Sequence, residues 1–338
     1  MSENSCCCCS SGCCCGEPAI QTVSTRLSFK DVLGGWKVRW GIGRMNYKVD
    51  PGLYAVGTPD ENAPVLVSAN YKLTFDSLRK ELSGLNCWLL ILDTKGVNVW
   101  CAAGKGTFGT GELINRIAAT VLSDVVTHKT LILPQLGASG VNSNEVKRQS
   151  GFSVVYGPVR ARDIKAFLST VNKATPEMRT VKFSILDRLV LTPMEIVPAA
   201  KISVVIFGVL FLLNLFAVKP FGLLDFIAYA GAVLVGSFLI PVLLPFIPGR
   251  AFSFKGGLLG LIWAAVAVWL FGFGWLAAIG YILMLPSLSS YLAMNFTGSS
   301  TYTSPSGVLK EMKIALPIIV SASVIGAILL LLSRVFGL

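Results

Sequence analysis

Gly96-Val97-Asn98-Val99-Trp100-Cys101-Ala102-Ala103-Gly104-Lys105-Gly106-Thr107 follows an apolar run, Trp88-Leu89-Leu90-Ile91-Leu92, that reads as a buried strand. In open α/β sheets ligands bind beyond the carboxyl ends of the strands, where this stretch falls. Asn98 is a good N-cap, and the small residues after it suit one short helical turn packed against something flat. A cysteine on such a turn, Cys101, is a soft, directional metal ligand; the same residue also reads as a buried structural thiol. Two nucleotide motifs overlap the stretch and neither survives. Gly104-Lys105-Gly106-Thr107-Phe108-Gly109 matches G-x-G-x-x-G, but that fingerprint follows its strand immediately, and here about ten residues intervene. As a P-loop it fails because Gly106, not Ser or Thr, follows Lys105 and Val99 stands where the first glycine belongs.

The surrounding chain is unusually apolar. Its 338 residues are 53% hydrophobic and 14% charged, with mean hydropathy +0.67, which points to a membrane-embedded portion. Of the 29 Lys and Arg, 22 precede residue 199, so a charged soluble domain is followed by a nearly charge-free one. The net charge of +11 calls for no nucleic-acid partner, since cytoplasmic faces of membrane proteins are commonly basic. No secretory signal peptide is expected, because the N-terminus lacks an apolar core region.

Seven of the nine cysteines lie in Cys6-Cys7-Cys8-Cys9-Ser10-Ser11-Gly12-Cys13-Cys14-Cys15, a low-complexity tail that reads as disordered. Consecutive cysteines cannot wrap a zinc ion or an iron–sulfur cluster. Two readings stay open: a loose thiolate cluster for soft ions such as Hg(II), or a tail without an essential role. From Phe29 to Val49 the chain is basic and aromatic, with Trp36, Arg39, Trp40, Arg44 and Tyr47. Such interleaving could serve single-stranded nucleic acid, but packing across one edge of the domain is preferred.

A β-α alternation then begins. Strands are expected at Pro64–Ser68, Cys87–Leu92, Leu131–Leu133 and Phe152–Tyr156, with helices at Thr74–Leu82, Glu112–Leu122, Asn144–Gln149 and Arg162–Val171. The fold class is α/β, a Rossmann-like domain with a parallel sheet, followed by an all-α transmembrane domain of about five helices. The boundaries are 1–24 for the tail, 25–175 for the α/β domain, 176–198 for a connector and 199–338 for the membrane domain. Loops Asn70–Thr74, Asn98–Thr107 and Pro134–Val141 should converge at one end of the sheet. The single histidine, His128, lacks the D-x-H-x-x-G context of a cobalt ligand and reads as an ordinary helix-end residue. Spans are expected at 199–218, 222–247, 256–272, 274–295 and 314–333. The third is short, with a turn at Phe271-Gly272-Phe273-Gly274 before the fourth. Basic residues Arg250, Lys255, Lys310 and Lys313 fall in the inner loops and Lys219 and Arg334 outside, which places the soluble domain in the cytoplasm and the C-terminus out. Asp225 should pair with nearby Lys219 or snorkel.

Asn98-Val99-Trp100-Cys101-Ala102-Ala103-Gly104-Lys105 resembles the cap-helix signature of the mercury-methylating corrinoid proteins, the HgcA family, and Trp36-Lys37-Val38-Arg39-Trp40-Gly41 is similar to another of its segments. Asn70-Tyr71-Lys72-Leu73-Thr74 is similar to a loop in the large subunit of the corrinoid iron–sulfur protein of the acetyl-CoA pathway. The resemblance runs from about Trp36 through the membrane segments and leaves out the cysteine tail. It implies a corrinoid cofactor with Cys101 as lower axial ligand of its cobalt and as the catalytic residue. Asn70, Thr74, Asn98, Val99, Trp100, Ala102, Ala103, Gly104 and Lys105 would bind the corrinoid with it. Gly137, Ala138 and Gly140 would let backbone approach the macrocycle, and Gly157 and Pro158 would line the nucleotide tail. The implied activity is transfer of a methyl group from methyl-Co(III) corrinoid to Hg(II), giving methylmercury. Implied partners are a ferredoxin-like 4Fe–4S protein, HgcB, and methyltetrahydrofolate as methyl donor, at the inner membrane. A membrane-anchored corrinoid methyl carrier of one-carbon metabolism, without mercury activity, is the alternative.

Overall fold

A computed structural model describes residues 20–217, 219–300 and 302–337; the cysteine tail lies outside them. Backbone contacts divide the chain into two units. One comprises residues up to Val32 together with Met45–Thr180, the other Leu33–Arg44 together with Val181 onward.

The first unit is built on β1 (Gln21–Thr22), α1 (Phe29–Arg39, shared with the second unit), β2 (Gly52–Val56), β3 (Val65–Ala69), α2 (Lys72–Arg79), β4 (Cys87–Leu92), α3 (Val99–Lys105), α4 (Thr110–Ala119), α5 (Leu122–Val125), β5 (Thr130–Leu133), α6 (Ser143–Ser150), β6 (Ser153–Tyr156) and α7 (Ile164–Ser169). The strands form one six-stranded sheet in the order β1-β2-β4-β3-β5-β6. β4, β3, β5 and β6 are parallel, as the β-α alternation requires. β2 adds an antiparallel strand beside β4, with Tyr54 opposite Leu89, and β1 extends that edge. That extension is absent from the sequence-based expectation.

All residues of β3 and β4 are buried, which explains their nearly unbroken apolar runs. Alternate residues serve two cores. Val65, Val67, Leu90, Leu92, Leu131 and Leu133 pack with Phe108, Leu113, Ile117 and Val146 on one face. Leu66, Cys87, Leu89, Ile91 and Ile132 pack with Phe75, Leu78, Leu82 and Phe167 on the other. Cys87 is thus a core residue, and burial pushes its thiol up to about 12, so it stays protonated.

The basic aromatic stretch edges the α/β unit only at its ends, where Asp31 pairs with Lys72 and Arg79 and Val49 packs on the core. It opens as a helix whose part from Leu33 onward groups with the second unit. Trp36 and Trp40, one helical turn apart, are 64% and 45% exposed, while Gly35 and Val38 are buried.

The second unit continues with α8 (Ile185–Leu189), α9 (Pro193–Leu213), α10 (Leu223–Leu234), α11 (Ile240–Leu243), α12 (Phe252–Phe271), α13 (Trp275–Asn295) and α14 (Pro305–Phe336). A π turn, Val235–Leu239, joins α10 to α11 without a break. Five stretches are long and apolar enough to span a membrane: Ile185–Leu213, Leu223–Leu243, Phe252–Phe271, Trp275–Gly298 and Ser306–Phe336. The first span starts before residue 199 because Pro193 sits at the helix start and Pro198 is accommodated inside the helix. The third is longer than expected because Lys255, assigned to a loop from its charge, lies within α12 and donates to the Leu244 carbonyl at 2.5 Å. Lys310 and Lys313 likewise lie in the opening turns of α14. Asp225 pairs with Arg334, 109 residues away, rather than with Lys219, and the Tyr281 hydroxyl donates to the same carboxylate. α12 and α13 meet through Gly256 and Gly260: a Cβ there would lie 2.5 Å from the Ser290 Cα and 2.7 Å from the Pro286 Cα. This is the small-residue seam of membrane helix pairs.

Candidate functional site at the carboxyl edge of the sheet

From β3 the chain runs through α2 to β4 on one side and later crosses to β5 on the other, so the carboxyl ends of β3 and β5 border a topological switch point. α3 packs against β3 and against the 3-10 turn Gln135–Gly137 that follows β5, which puts it across this point.

The turn feeding α3 is held by one side chain. Lys95 and Gly96 both take left-handed backbone conformations, with φ of 58° and 73°. The Asn70 Oδ1, at the end of β3, accepts from the Thr94 N–H at 3.1 Å, the Thr94 hydroxyl at 2.9 Å and the Gly96 N–H at 3.0 Å. Its Nδ2 donates to Asp93 Oδ1 at 3.1 Å. Asn70 is 1% exposed, so its polar atoms are spent on this loop rather than offered to a ligand. Lys95 holds the Asp93 carboxyl below the usual carboxylate range against the opposing effect of burial, aided by the Asn70 amide.

Asn98 then caps α3, its Oδ1 accepting from the Cys101 N–H at 2.9 Å. Gly106, left-handed at φ 79°, ends the helix. The seven-residue helix divides its residues cleanly. Val99, Ala102 and Ala103 face the core, so their side chains are not available to a ligand. Trp100, Gly104 and Lys105 are exposed and Cys101 is half-buried, all on the outward side. A Cβ at Gly104, one turn beyond Cys101, would meet nothing within 4 Å. Open space therefore lies one helical turn from the half-buried Cys101.

Beneath α3 the small residues do something else. A Cβ at Gly137 would come within 2.5 Å of the Phe108 ring, and one at Gly140 within 2.2 Å of the Phe108 carbonyl and 3.0 Å of the Ala103 Cα. These two glycines seat the β5 loop against α3, and Ala138 between them is half-buried. Gly157 and Pro158 are buried at the end of β6, where the Gly157 N–H donates to the Leu133 carbonyl at 2.8 Å. Thr74 is half-buried in the first turn of α2. His128 lies before β5, at the amino-terminal end of the parallel strands, its Nε2 bonded to the Ala63 carbonyl at 2.9 Å. Among the described residues no cluster of three His, Cys, Asp or Glu could hold a metal ion.

A charged network missed in the sequence runs along α2. Asp31 bonds to Lys72 at 2.5 Å and Arg79 at 2.8 Å, and Asp76 to the same two residues at 2.7 and 2.8 Å. Burial alone would hinder ionisation of Asp31, but bonds from Lys72, Ser28 and Arg79 hold its carboxyl well below the usual range. The pairing of Lys72 with Asp76 at i,i+4 was available as a signal; Asp31 was not.

The fold defines a doubly wound α/β unit with Cys101 on a short helix at its switch point, joined in one chain to a unit of long apolar helices. Residues 42–168, which contain strands β2–β6 and α3, match the family described as CO dehydrogenase/acetyl-CoA synthase delta subunit. The chain is similar to the acetyl-CoA decarbonylase/synthase complex subunit gamma of Methanopyrus kandleri, 36% identical over 124 residues, which are 36% of this chain and 26% of that protein. The corresponding subunit of Methanocaldococcus jannaschii is 34% identical over 122 residues, 36% of this chain and 25% of its own length. The subunit gamma 2 of Methanosarcina thermophila is 36% identical over 115 residues, 33% and 24%. The matched segment thus spans about a quarter of these relatives.

Proposed function

We propose that the protein is a membrane-anchored, corrinoid-dependent methyltransferase that passes a methyl group to Hg(II). The observation that carries this reading is Cys101: a half-buried cysteine on the outward face of α3, at the switch point, beside the open patch over Gly104. A soft sulfur with open space one turn away at Gly104 suits a macrocycle with a central metal, so the residues present fit a corrinoid. Bound there, the corrinoid supplies a cobalt centre able to carry and give up a methyl group. Cys101 would hold the cobalt, with Asn98 fixing its backbone and Asn70 fixing the turn that leads to it. Trp100 and Lys105, exposed on the same side, are positioned to flank the ring. Thr74, Ala138, Gly157 and Pro158 would complete the surrounding loops.

The working domains of this reading are 25–175 for the corrinoid and 199–338 for the membrane, joined by 176–198. HgcB would supply electrons and methyltetrahydrofolate the methyl group, both from the cytoplasm. Five spans would leave the chain ends on opposite sides of the inner membrane, and Arg250, Lys310 and Lys313 support an inward α/β unit. A C-terminal reporter active only in the periplasm tests this, and silence of a stably expressed fusion contradicts it.

The purified full chain should show a corrinoid absorption spectrum and, with reduced HgcB and a methyl donor, form methylmercury from Hg(II). Cys101→Ala should abolish methylation and leave the melting temperature nearly unchanged. Wild-type methylation by that variant overturns the reading. A second reading, a corrinoid methyl carrier of one-carbon metabolism, is favoured by the likeness to acetyl-CoA decarbonylase/synthase subunits. It predicts bound corrinoid and no methylmercury.

A further inference from the structure

We infer that the membrane unit carries a lipid site, taken by one acyl chain of an anionic phospholipid whose phosphate rests on Lys219 and Arg334. Between α9, α10, α13 and α14 lies a cavity of about 400 Å³ with almost wholly apolar walls, among them Phe207, Leu210, Leu288 and Ala327. It follows α13 from Tyr281 to Tyr291, ten residues or about 15 Å at the helical rise. Protein interiors are packed to near crystal density, and an apolar space of this size does not fill with water. In a bilayer the molecule at hand to fill a long apolar slot is a hydrocarbon chain.

One end of the slot is charged. Asp225 lines it and accepts from Tyr281, Arg334 and, at 2.6 Å, the Gly222 N–H. The Arg334 guanidinium lies 4.9 Å from the centre of the Phe221 ring, itself part of the wall, and its buried Nε has no hydrogen-bond partner. Lys219 is adjacent and exposed, its backbone N–H donating to the Arg334 carbonyl at 3.2 Å and its ammonium to the Gly337 carbonyl. Two cations beside one carboxylate leave a net positive charge at this end, which selects a negative headgroup over a neutral one. The arrangement matches the general form of ligand sites, an apolar body with a few placed polar groups at one end. It is independent of the chemistry at Cys101.

The test is lipid extraction from the full chain purified in mild detergent, with mass spectrometry of the extract against that of the source membrane. An anionic phospholipid should be enriched several-fold over zwitterionic lipid. Ala327→Trp, which fills the slot, should release it from protein that remains monodisperse. Lys219→Gln, at an exposed position, should lower retention about five-fold, the contribution of one basic side chain at a membrane surface. Enrichment of a zwitterionic lipid or an isoprenoid quinone instead overturns the assignment. So does unchanged lipid in monodisperse Ala327→Trp. Should that variant fail to fold, unchanged retention by Lys219→Gln overturns it.

Discussion

The carboxyl edge of the sheet and the seam between α12 and α13 are made from the same small residues. In both, a Cβ would run into backbone: at Gly140 into the Phe108 carbonyl, at Gly260 into the Pro286 Cα. The seam is closed, because Ser290 also spends its hydroxyl across it, on the Ser253 carbonyl at 2.8 Å, while Ser289 ties α13 to the Ala232 carbonyl of α10 at 2.8 Å. The edge is closed only underneath. On the upper side of α3, Gly104 faces no atom within 4 Å, one turn from a half-buried cysteine. Small residues therefore mark close packing in both places. A small residue left unopposed beside a competent side chain marks the site.

The largest expected effect lies on the closed side. Asn70→Ala removes the acceptor of the Gly96 N–H and the amide that donates to Asp93, while the buried Thr94 keeps the Leu92 and Val97 carbonyls. At 1–3 kcal/mol for each buried group left unsatisfied, the loss should be about 3 kcal/mol, read as a lower melting temperature with a disproportionate loss of corrinoid. A loss below about 1 kcal/mol would mean that water replaces Asn70 and that the closed side is not closed.

Next come the paired glycines. Gly140→Ala and Gly260→Ala should each cost about 1–3 kcal/mol, because the atom met is backbone and cannot swing aside. Their effects should separate: corrinoid retention falls in the first and not in the second. Neutral behaviour of Gly260→Ala would break the comparison, since the seam would then have slack that the edge lacks.

Much of the scaffold was legible in the sequence and the closed side was not. β3 and β4 announce themselves as apolar runs, Asn98 as a cap, and the membrane spans by length and hydropathy. β2 is hidden because Gly52-Leu53-Tyr54-Ala55-Val56 is short, lies between a proline and a glycine, and pairs antiparallel to a distant strand. Gly137 and Gly140 read as room for a macrocycle, but what fills the space beside them is Phe108, which precedes them by some thirty residues and folds under α3. Asn70 reads as a polar loop residue open to a ligand, and its real partners are 23 to 26 residues on. Asp225 is another case, since proximity in the chain favours Lys219 whereas the fold supplies Arg334. What is local in the chain was readable; what depends on which distant group fills a gap was not.

A smaller effect concerns the brace around Asp31. Its carboxyl is depressed in the folded state, so the stability it contributes is present above the unfolded carboxylate range, about pH 4, and lost as pH falls through and below it. Between pH 5 and pH 3 the α/β unit should lose about 1 kcal/mol from this source. Asp31→Asn should begin less stable and show a flatter decline. An unchanged slope would assign the acid sensitivity elsewhere, Asp93 being another depressed group of the unit.

The smallest expected effect on stability is the sharpest test of the comparison. Gly104→Ala places a methyl group where no atom lies within 4 Å, so it introduces no clash. Gly104 is inside α3 with ordinary helical backbone, where alanine is favoured over glycine by about 0.5–1 kcal/mol. The protein should therefore become slightly more stable, by a degree or two in melting temperature. The same methyl group stands on the open patch beside Cys101, so corrinoid binding and methyl transfer should fall. Stability and function then move in opposite directions, the reverse of Gly140→Ala, where both decline together. If Gly104→Ala retains full corrinoid and full activity, the open patch is not where the macrocycle lies, and the sulfur of Cys101 loses its reason to face it.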